Sequence, residues 1–380
     1  MKGFVKQRSE GGSFTCFWET KDPATGKRRQ HTKGGFRTQG AAQKHLNVVV
    51  GRVTAGDWRP DQPITVRQLL LDHWLPAQRS RGLRASTLSM YEGAATWYLI
   101  PTLGGRKVAA LTPADVSVLA ARMLTEKSAS GRKGLSQRTV QVAVTTLKSA
   151  TKWAAANGLV GRDPLAAVER PRAPHAEMKT WNAAEARRFL AQVRGDRLEA
   201  AWVLLLSRGL RRGELAGLQW PSVDLAAGTI TITSTLLSVD GRPVASQPKT
   251  SSGRRSIPLD AQLVAILRAH DKAQKAERLR AGEAWQASGY VFVNELGGPY
   301  HPDHWSARFD EIVAAAKLPR IRFHDLRHTA FSLTASGVPI KVVQELAGHS
   351  SPAITLSLYV HTVPSMAREA GEALTASLLG

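Results

Sequence analysis

The sequence predicts a mainly α protein with small β-sheets: an N-terminal β-β-β-α module, a helical bundle, and a C-terminal α+β domain. Three observations predict it. Strand-like alternation marks the stretch before Thr38 and the stretch Gly228–Leu259, while apolar residues elsewhere recur at helical spacing. A run carrying Pro164, Pro171 and Pro174 divides the chain between two helix-rich parts. At 380 residues the chain exceeds one ordinary core, and 43% apolar content with mixed charge describes globular domains.

Each element follows from local pattern. In residues 1–60, GSFTCFW places Phe14, Cys16 and Trp18 on one face, KDPATGK supplies a turn, KRRQHT a second strand and GGFR a third. Thr38 caps a helix whose apolar face is Ala42, Leu46, Val49, Val50 and Val53. Residues 61–160 read as four helices. Thr65 and Gln68 form a capping box for the first, and ASTLSMYEGAATWYLI is the second. Thr112 caps the third with Pro113 at its first position. Ser136 opens the fourth, with Val140, Val144, Leu147 and Ala154 on one stripe and Asn157–Gly158 at its end. Residues 161–180 read as an extended linker. In residues 181–380, Asn182 caps with Glu185 three residues on, and Ala183–Val193 and Arg197–Ser207 are helical. GTITITSTLL and RRSIPL then form strands around a VDGR hairpin turn, and helices fill the chain from Ala261.

Charge points to a partner. Lys and Arg number 52 against 30 Asp and Glu, a formal net charge of +22. Such an excess repels itself in a folded protein unless a polyanion is the normal partner. Nucleic acid fits best, because neutralised phosphates release counterions. Residues 1–60 hold 12 basic and 4 acidic side chains, net +8. Lys27, Arg28, Arg29, Lys33 and Arg37 crowd one hairpin there, which favours DNA contact over a merely solvated face. A membrane partner would ask for a basic amphipathic helix or a lipidation signal, and the chain has neither. The start MKGFVKQRSEGGSF lacks an apolar signal core, and the run AAWVLLL is too short to span a bilayer. Cys16 is the one cysteine, which excludes an intrachain disulfide and a cysteine-based zinc site. A cytoplasmic protein is expected.

The chemistry-bearing residues concentrate between Arg322 and Thr362, in RFHDLRHTAFSLTASGVPIKVVQELAGHSSPAITLSLYVHT. His324 and Arg327, three apart in a helical pattern, share one face. His324 and His328 invite a zinc pair, but a metalloprotease pattern asks for Glu where Asp325 stands, and only the scattered His301 and His304 offer a third ligand. No metal is expected, and His328 reads as a satisfied structural histidine. LAGHSSPAIT reads as a helix end, a tight turn and a new helix capped by Ser351, which holds His349 in a corner. Tyr359, one of five tyrosines, would by itself read as a core aromatic. Upstream, SRGLRRGELAGLQW puts Arg211 after a Gly-Leu turn at the start of a short helix, and QPKTSSGRRSIPL puts Lys249 at a turn between strands. Glu214 either orients Arg211 or is an ordinary first-turn acid, and Asp325 is equally open.

Taken in order, Arg211, Lys249, His324, Arg327, His349 and Tyr359 resemble the catalytic set of the tyrosine recombinases, in particular phage and integrative-element integrases. GLRRGEL, PKTSSGRRSIPL, HDLRHTAFSLTASG, LAGHSS and LSLY carry the resemblance through the C-terminal region, and LGGRKVAALTPADV extends it upstream. It implies an arm-type DNA-binding module at 1–60, a core-binding domain at 61–160, a linker at 161–180, and an α+β tyrosine-recombinase catalytic domain with a C-terminal tail at 181–380. It further implies a site-specific recombinase that integrates or excises a mobile element through a 3′-phosphotyrosyl intermediate on Tyr359. Lys249 would protonate the departing 5′ oxygen, and His349 would bond the scissile phosphate.

The residue types suit that chemistry. Arg211 and Arg327 offer permanently charged forks for non-bridging oxygens, a task other nucleases give to metal ions. A tyrosine of pKa about 10 must lose its proton or have its phenolate stabilised, which His324 and nearby cations can do. The covalent link conserves the energy of the broken bond, so no ATP, metal or other cofactor is needed. The partners implied are double-stranded DNA attachment sites, a homotetramer on DNA joined through the tail SMAREAGEALTASLLG, and a directionality or DNA-bending helper protein. Other readings stay open: a resolvase of chromosome or plasmid dimers, against which the basic N-terminal module counts; a type IB topoisomerase, expected to carry a different motif arrangement; a non-catalytic DNA-binding protein of the same fold; and a metal-dependent nuclease or transposase.

Overall fold

Three strands and a helix open the chain, but the strands are not the three segments the sequence suggested. The computed structural model describes residues 3–7, 9, 12–21, 27–55, 63–126, 134–171, 178–239, 241–247, 254–335, 339–347, 375 and 377. These pack as two units, Met1–Pro174 and His175–Gly380. The first sheet is antiparallel in the order β1 (Phe4–Gln7), β2 (Phe14–Lys21), β3 (Arg28–Phe36). KRRQHT and GGF are one strand, and the missing strand is the short polar FVKQ near the start. The glycines that read as a break form a bulge instead. Phe14 pairs with Phe36 but Cys16 with Lys33, so β3 carries one extra residue there. Gly35 absorbs it at φ +91, a conformation that costs glycine little.

Cys16 and Trp18 face α1 (Gln39–Thr54) and bury themselves with Leu46 and Val49. Thr38 caps that helix, its hydroxyl accepting the Ala41 N–H at 3.2 Å. Lys27, Arg28, Arg29, Lys33 and Arg37 are all exposed, yet they do not share one face of the sheet. Directly paired residues point the same way. Lys33 pairs with buried Cys16 and therefore lies on the helix side, and Arg29, four residues earlier, follows it. Arg28 lies on the open side.

The bundle follows with the expected Thr65–Gln68 capping box, and the expected Thr112 cap proves to be a second box, closed by Asp115. Its first helix runs through α2 (Val66–Gln68), a π-helical segment Leu69–Trp74 and α3 (Leu75–Ser80). The second repeats the pattern: α4 (Ala85–Ala94), a π segment Ala95–Leu99, then α5 (Ile100–Leu103). In each case a proline, Pro76 or Pro101, follows within two residues. Proline has no N–H to continue the ladder and crowds the preceding turn, and a widened turn relieves both. α6 (Pro113–Thr125) and α7 (Gln137–Ala156) complete the bundle, with Leu69, Leu99, Leu119 and Leu147 at its fully buried centre. The stretch expected to be linker starts on this core, since Leu165 is fully buried in it.

The second unit is organised around aromatics. Trp202 lies at the centre of α9 (Glu199–Arg208), fully buried, and meets Phe189 of α8 (Ala183–Gln192) at 5.9 Å. It also meets Trp305 of α12 (Pro302–Ala315) at 5.6 Å and Phe323 at 6.4 Å. After the short α10 (Arg212–Ala216), the strand section forms two sheets rather than one hairpin. β4 (Val223–Asp224), β5 (Thr229–Thr231) and β8 (Ser256–Pro258) make one sheet, and β6 (Thr235–Val239) with β7 (Arg242–Ser246) the other. The long α11 (Ala261–Ala281) then leads on to α12, α13 (Asp325–Ala335) and α14 (Ile340–Ala347). Among the described residues no helix is long and apolar enough to cross a membrane.

Candidate active site

Arg211 is set by the end of one helix and the start of another. α9 stops at Gly209, which adopts φ +60, and a Cβ there would lie 2.7 Å from the Phe331 ring. Only glycine meets both conditions. Leu210 is buried in the turn, and Arg211 becomes the N-cap of α10. Its backbone N–H donates to Glu214 Oε2 at 2.8 Å, and its Nη1 donates to Oε1 at 2.7 Å. Glu214 is 2% exposed, so it is no ordinary first-turn acid. It orients the arginine.

A second guanidinium completes the cluster. Arg255 donates Nη1 and Nη2 to the two Glu214 oxygens, each at 2.9 Å. Burial alone would raise the Glu214 carboxyl, but the Arg255 hydrogen bonds and charge, then the Arg211 charge, bring its pKa down to about 2 from 4.5. A carboxylate depressed in the folded state stabilises fully above its unfolded pKa and loses that contribution as pH falls from 4.5 toward 2. The shift corresponds to about 3 kcal/mol at neutral pH. Glu214→Gln should therefore melt well below the wild type at pH 7, with the gap closing between pH 4.5 and 2; a gap independent of pH would contradict the assignment.

α13 delivers the other half. Phe323 anchors in the aromatic core against Phe309 at 5.6 Å, and His324 follows it on the turn before the helix. The two expected partners thus do not share a helix face: His324 is exposed, and Arg327 is 3% exposed. Arg327 Nη1 donates to the Gly209 carbonyl and Nη2 to the Ala347 carbonyl, and its Cζ lies 4.8 Å from the centre of the Phe331 ring. Burial first, then the Arg211 charge, push its pKa down to about 9, which leaves it a cation at neutral pH.

Desolvation, then the charges of His328 and Arg327, lower the His324 pKa to about 4. The ring is therefore a neutral imidazole at pH 7. Its neighbour His328 packs edge-on at 5.1 Å. That histidine is structural in packing but not satisfied, since Nδ1 finds no hydrogen-bond partner among the described residues. Asp325, 2% exposed, accepts Arg322 Nε and Nη2 at 2.9 Å each and the Arg322 N–H at 3.0 Å, so it fixes the turn that carries His324.

Beside His324 opens a cleft of about 690 Å³ lined by Lys179, Arg212, Arg320, Arg322 and Asp325 among others. Three of the expected site residues, Lys249, His349 and Tyr359, lie outside the described residues, as does most of the tail. Arg211, His324 and Arg327 are brought into one electrostatic neighbourhood, each arginine lowering the His324 pKa. Sequence reasoning missed Arg255. The signal was there: it alternates with buried Ile257, so RRSIPL puts a charge on the inward face of a strand.

Residues 178–366 match the phage integrase family, and residues 4–49 match an arm DNA-binding domain. A XerC-like tyrosine recombinase of Caldanaerobacter subterraneus subsp. tengcongensis is 27% identical over 97% of this chain and 93% of its own length. An integrase of Streptomyces ambofaciens is 30% identical over 69% of this chain and 68% of its own length. The Tn1549 transposon integrase, solved in complex with transposon right end DNA, superposes with a TM-score of 0.64 at 25% identity, covering 82% of this chain and 100% of that one. The chain belongs to the phage integrase family of tyrosine recombinases and is a DNA recombinase.

Proposed function

We propose that the chain is an integrase that cuts and rejoins double-stranded DNA at specific attachment sites through a 3′-phosphotyrosyl intermediate, integrating or excising a mobile element. The observation that carries this reading is the Arg327 bond to the Gly209 carbonyl, 118 residues away, which brings α13 against the Arg211 corner. Two guanidiniums meeting beside a neutral histidine suit a phosphodiester whose non-bridging oxygens gain charge in the transition state. Among the described residues Arg327 gives two of its five N–H donors to carbonyls, which hold its guanidinium in place.

In this mechanism the Tyr359 oxygen attacks phosphorus and its proton passes to His324. The bond to the 5′ oxygen breaks, Lys249 gives that oxygen a proton, and His349 bonds the phosphate. A 5′ hydroxyl from another strand reverses the step and frees the phenol. Residues 1–60 would act as the arm-binding module, 61–160 as the core-binding domain, 161–180 as the linker and 181–380 as the catalytic domain. Lys27, Arg28, Arg29, Lys33 and Arg37 would contact DNA, four copies would assemble on it, and a helper protein would set direction.

The test is a nicked duplex built from sequence flanking the gene. The chain should become covalently trapped on it, and peptide mapping should find the nucleotide on Tyr359; trapping on any other residue would overturn the reading. Binding to the intact duplex should also weaken steeply with salt, on the order of a thousandfold between 50 and 200 mM. A flat dependence would argue against phosphate-dominated contact.

A further inference from the structure

We infer that Arg255 is a positioning residue for the strand-cleavage reaction, fixing Arg211 through Glu214 and the end of α14 through the Leu346 carbonyl. The inference rests on the function proposed above. Arg255 immediately precedes β8, six residues after Lys249 in the sequence. Its backbone is locked, because its carbonyl accepts the Ile232 N–H at 2.9 Å. Its side chain is 7% exposed and makes three bonds: Nη1 and Nη2 to Glu214, and Nε to the Leu346 carbonyl at 3.0 Å.

A buried guanidinium is a poor device for stability alone, since an apolar side chain of similar size commonly stabilises as well. Its geometry here does what an apolar group cannot. Each Glu214 oxygen accepts from both Arg255 and Arg211, so Arg255 stops the carboxylate from rotating and thereby fixes the Arg211 guanidinium. At its other edge Arg255 holds Leu346 while Arg327 holds Ala347, the last two carbonyls of α14, which have no partner within the helix. Positive charge there also suits the helix dipole. His349 follows Ala347 by two residues in the sequence. One side chain therefore joins the Arg211 corner, the strand that follows Lys249 and the helix that leads to His349.

The experiment uses the full chain and single-turnover adduct formation on the nicked duplex, with DNA affinity and melting temperature measured in parallel. Arg255→Met should slow adduct formation by about a hundredfold or more while DNA affinity stays within about threefold. In the wild type His324, at about 4, sets the acid limb of the rate profile. In Arg255→Met the Glu214 carboxyl, stripped of two hydrogen bonds and a neighbouring cation, should rise past it and move the limb up by about one pH unit or more. Arg255→Lys keeps the charge but not the three-point geometry, so it should stay at least about tenfold slow at near-normal melting temperature; it decides the matter if the Met variant does not fold. Arg255→Met combined with Glu214→Gln should be no slower than the worse single variant.

Rates within about threefold of wild type in the variant that folds would overturn the inference. So would a uniform slowing that tracks melting temperature, with no pH shift and additive with Glu214→Gln. If wild type forms an adduct that Tyr359→Phe abolishes, yet the Arg255 variants react normally, only this inference falls. If wild type forms no tyrosine adduct, the proposed function falls and this inference with it.

Discussion

Tyr359→Phe is expected to bind attachment-site DNA as tightly as the wild type yet form no covalent adduct, a loss of at least about 10⁴-fold in the cleavage step. The substitution removes one oxygen and keeps the ring and the net charge, so what is lost is the atom proposed to bond phosphorus. Gel shift and denaturing electrophoresis on the same nicked duplex separate the two quantities. A persisting adduct would place the nucleophile elsewhere in the chain. Loss of binding together with cleavage would mean that the phenol is part of the fold, and the role proposed for it would fail.

Arg211→Lys should be nearly as severe, about 10²- to 10⁴-fold in single-turnover cleavage, although the formal charge is kept. The structure sharpens the reason. Arg211 gives Nη1 to Glu214 at 2.7 Å, and its guanidinium holds every donor in one plane, so the bond to Glu214 fixes the direction the whole group faces. An ammonium is a point donor on a flexible stem. It can sit on Glu214 or reach for the phosphate, and it has no rigid fork with which to do both. DNA affinity should fall far less than rate, because one phosphate contact among many is altered. Near-normal strand exchange by this variant would contradict the clamp.

Arg211 was placed correctly at the start of a short helix because its determinants are local: Gly209 at φ +60, Leu210 in the turn, and Glu214 three residues on. The same holds for the caps at Thr38, Thr65, Thr112, Ser136 and Asn182, each set by atoms within three residues. Local pattern misled where the partner strand decided. Gly34 and Gly35 look like a break, but β2 continues opposite them, and the backbone bulges to stay paired. GTITITSTLL looks like one strand, but its halves pair with different neighbours, β8 and β7.

By itself the sequence determined the helical and mixed regions, the basic character, and the ordered set of residue types that suits phosphoryl transfer on DNA. Those follow from periodicity, capping chemistry and charge, which a chain carries wherever it folds. Tertiary structure alone decided that Glu214 is a buried hub rather than a surface acid, that Arg327 lies beneath His324 rather than beside it, and that Arg255 belongs to the site at all. The physical reason is distance along the chain. A buried charge is tolerable only when it is paired and hydrogen-bonded; Asp325 finds its partner three residues away, but the partners of Arg255 come from remote segments, and nothing in RRSIPL names Glu214 or Leu346.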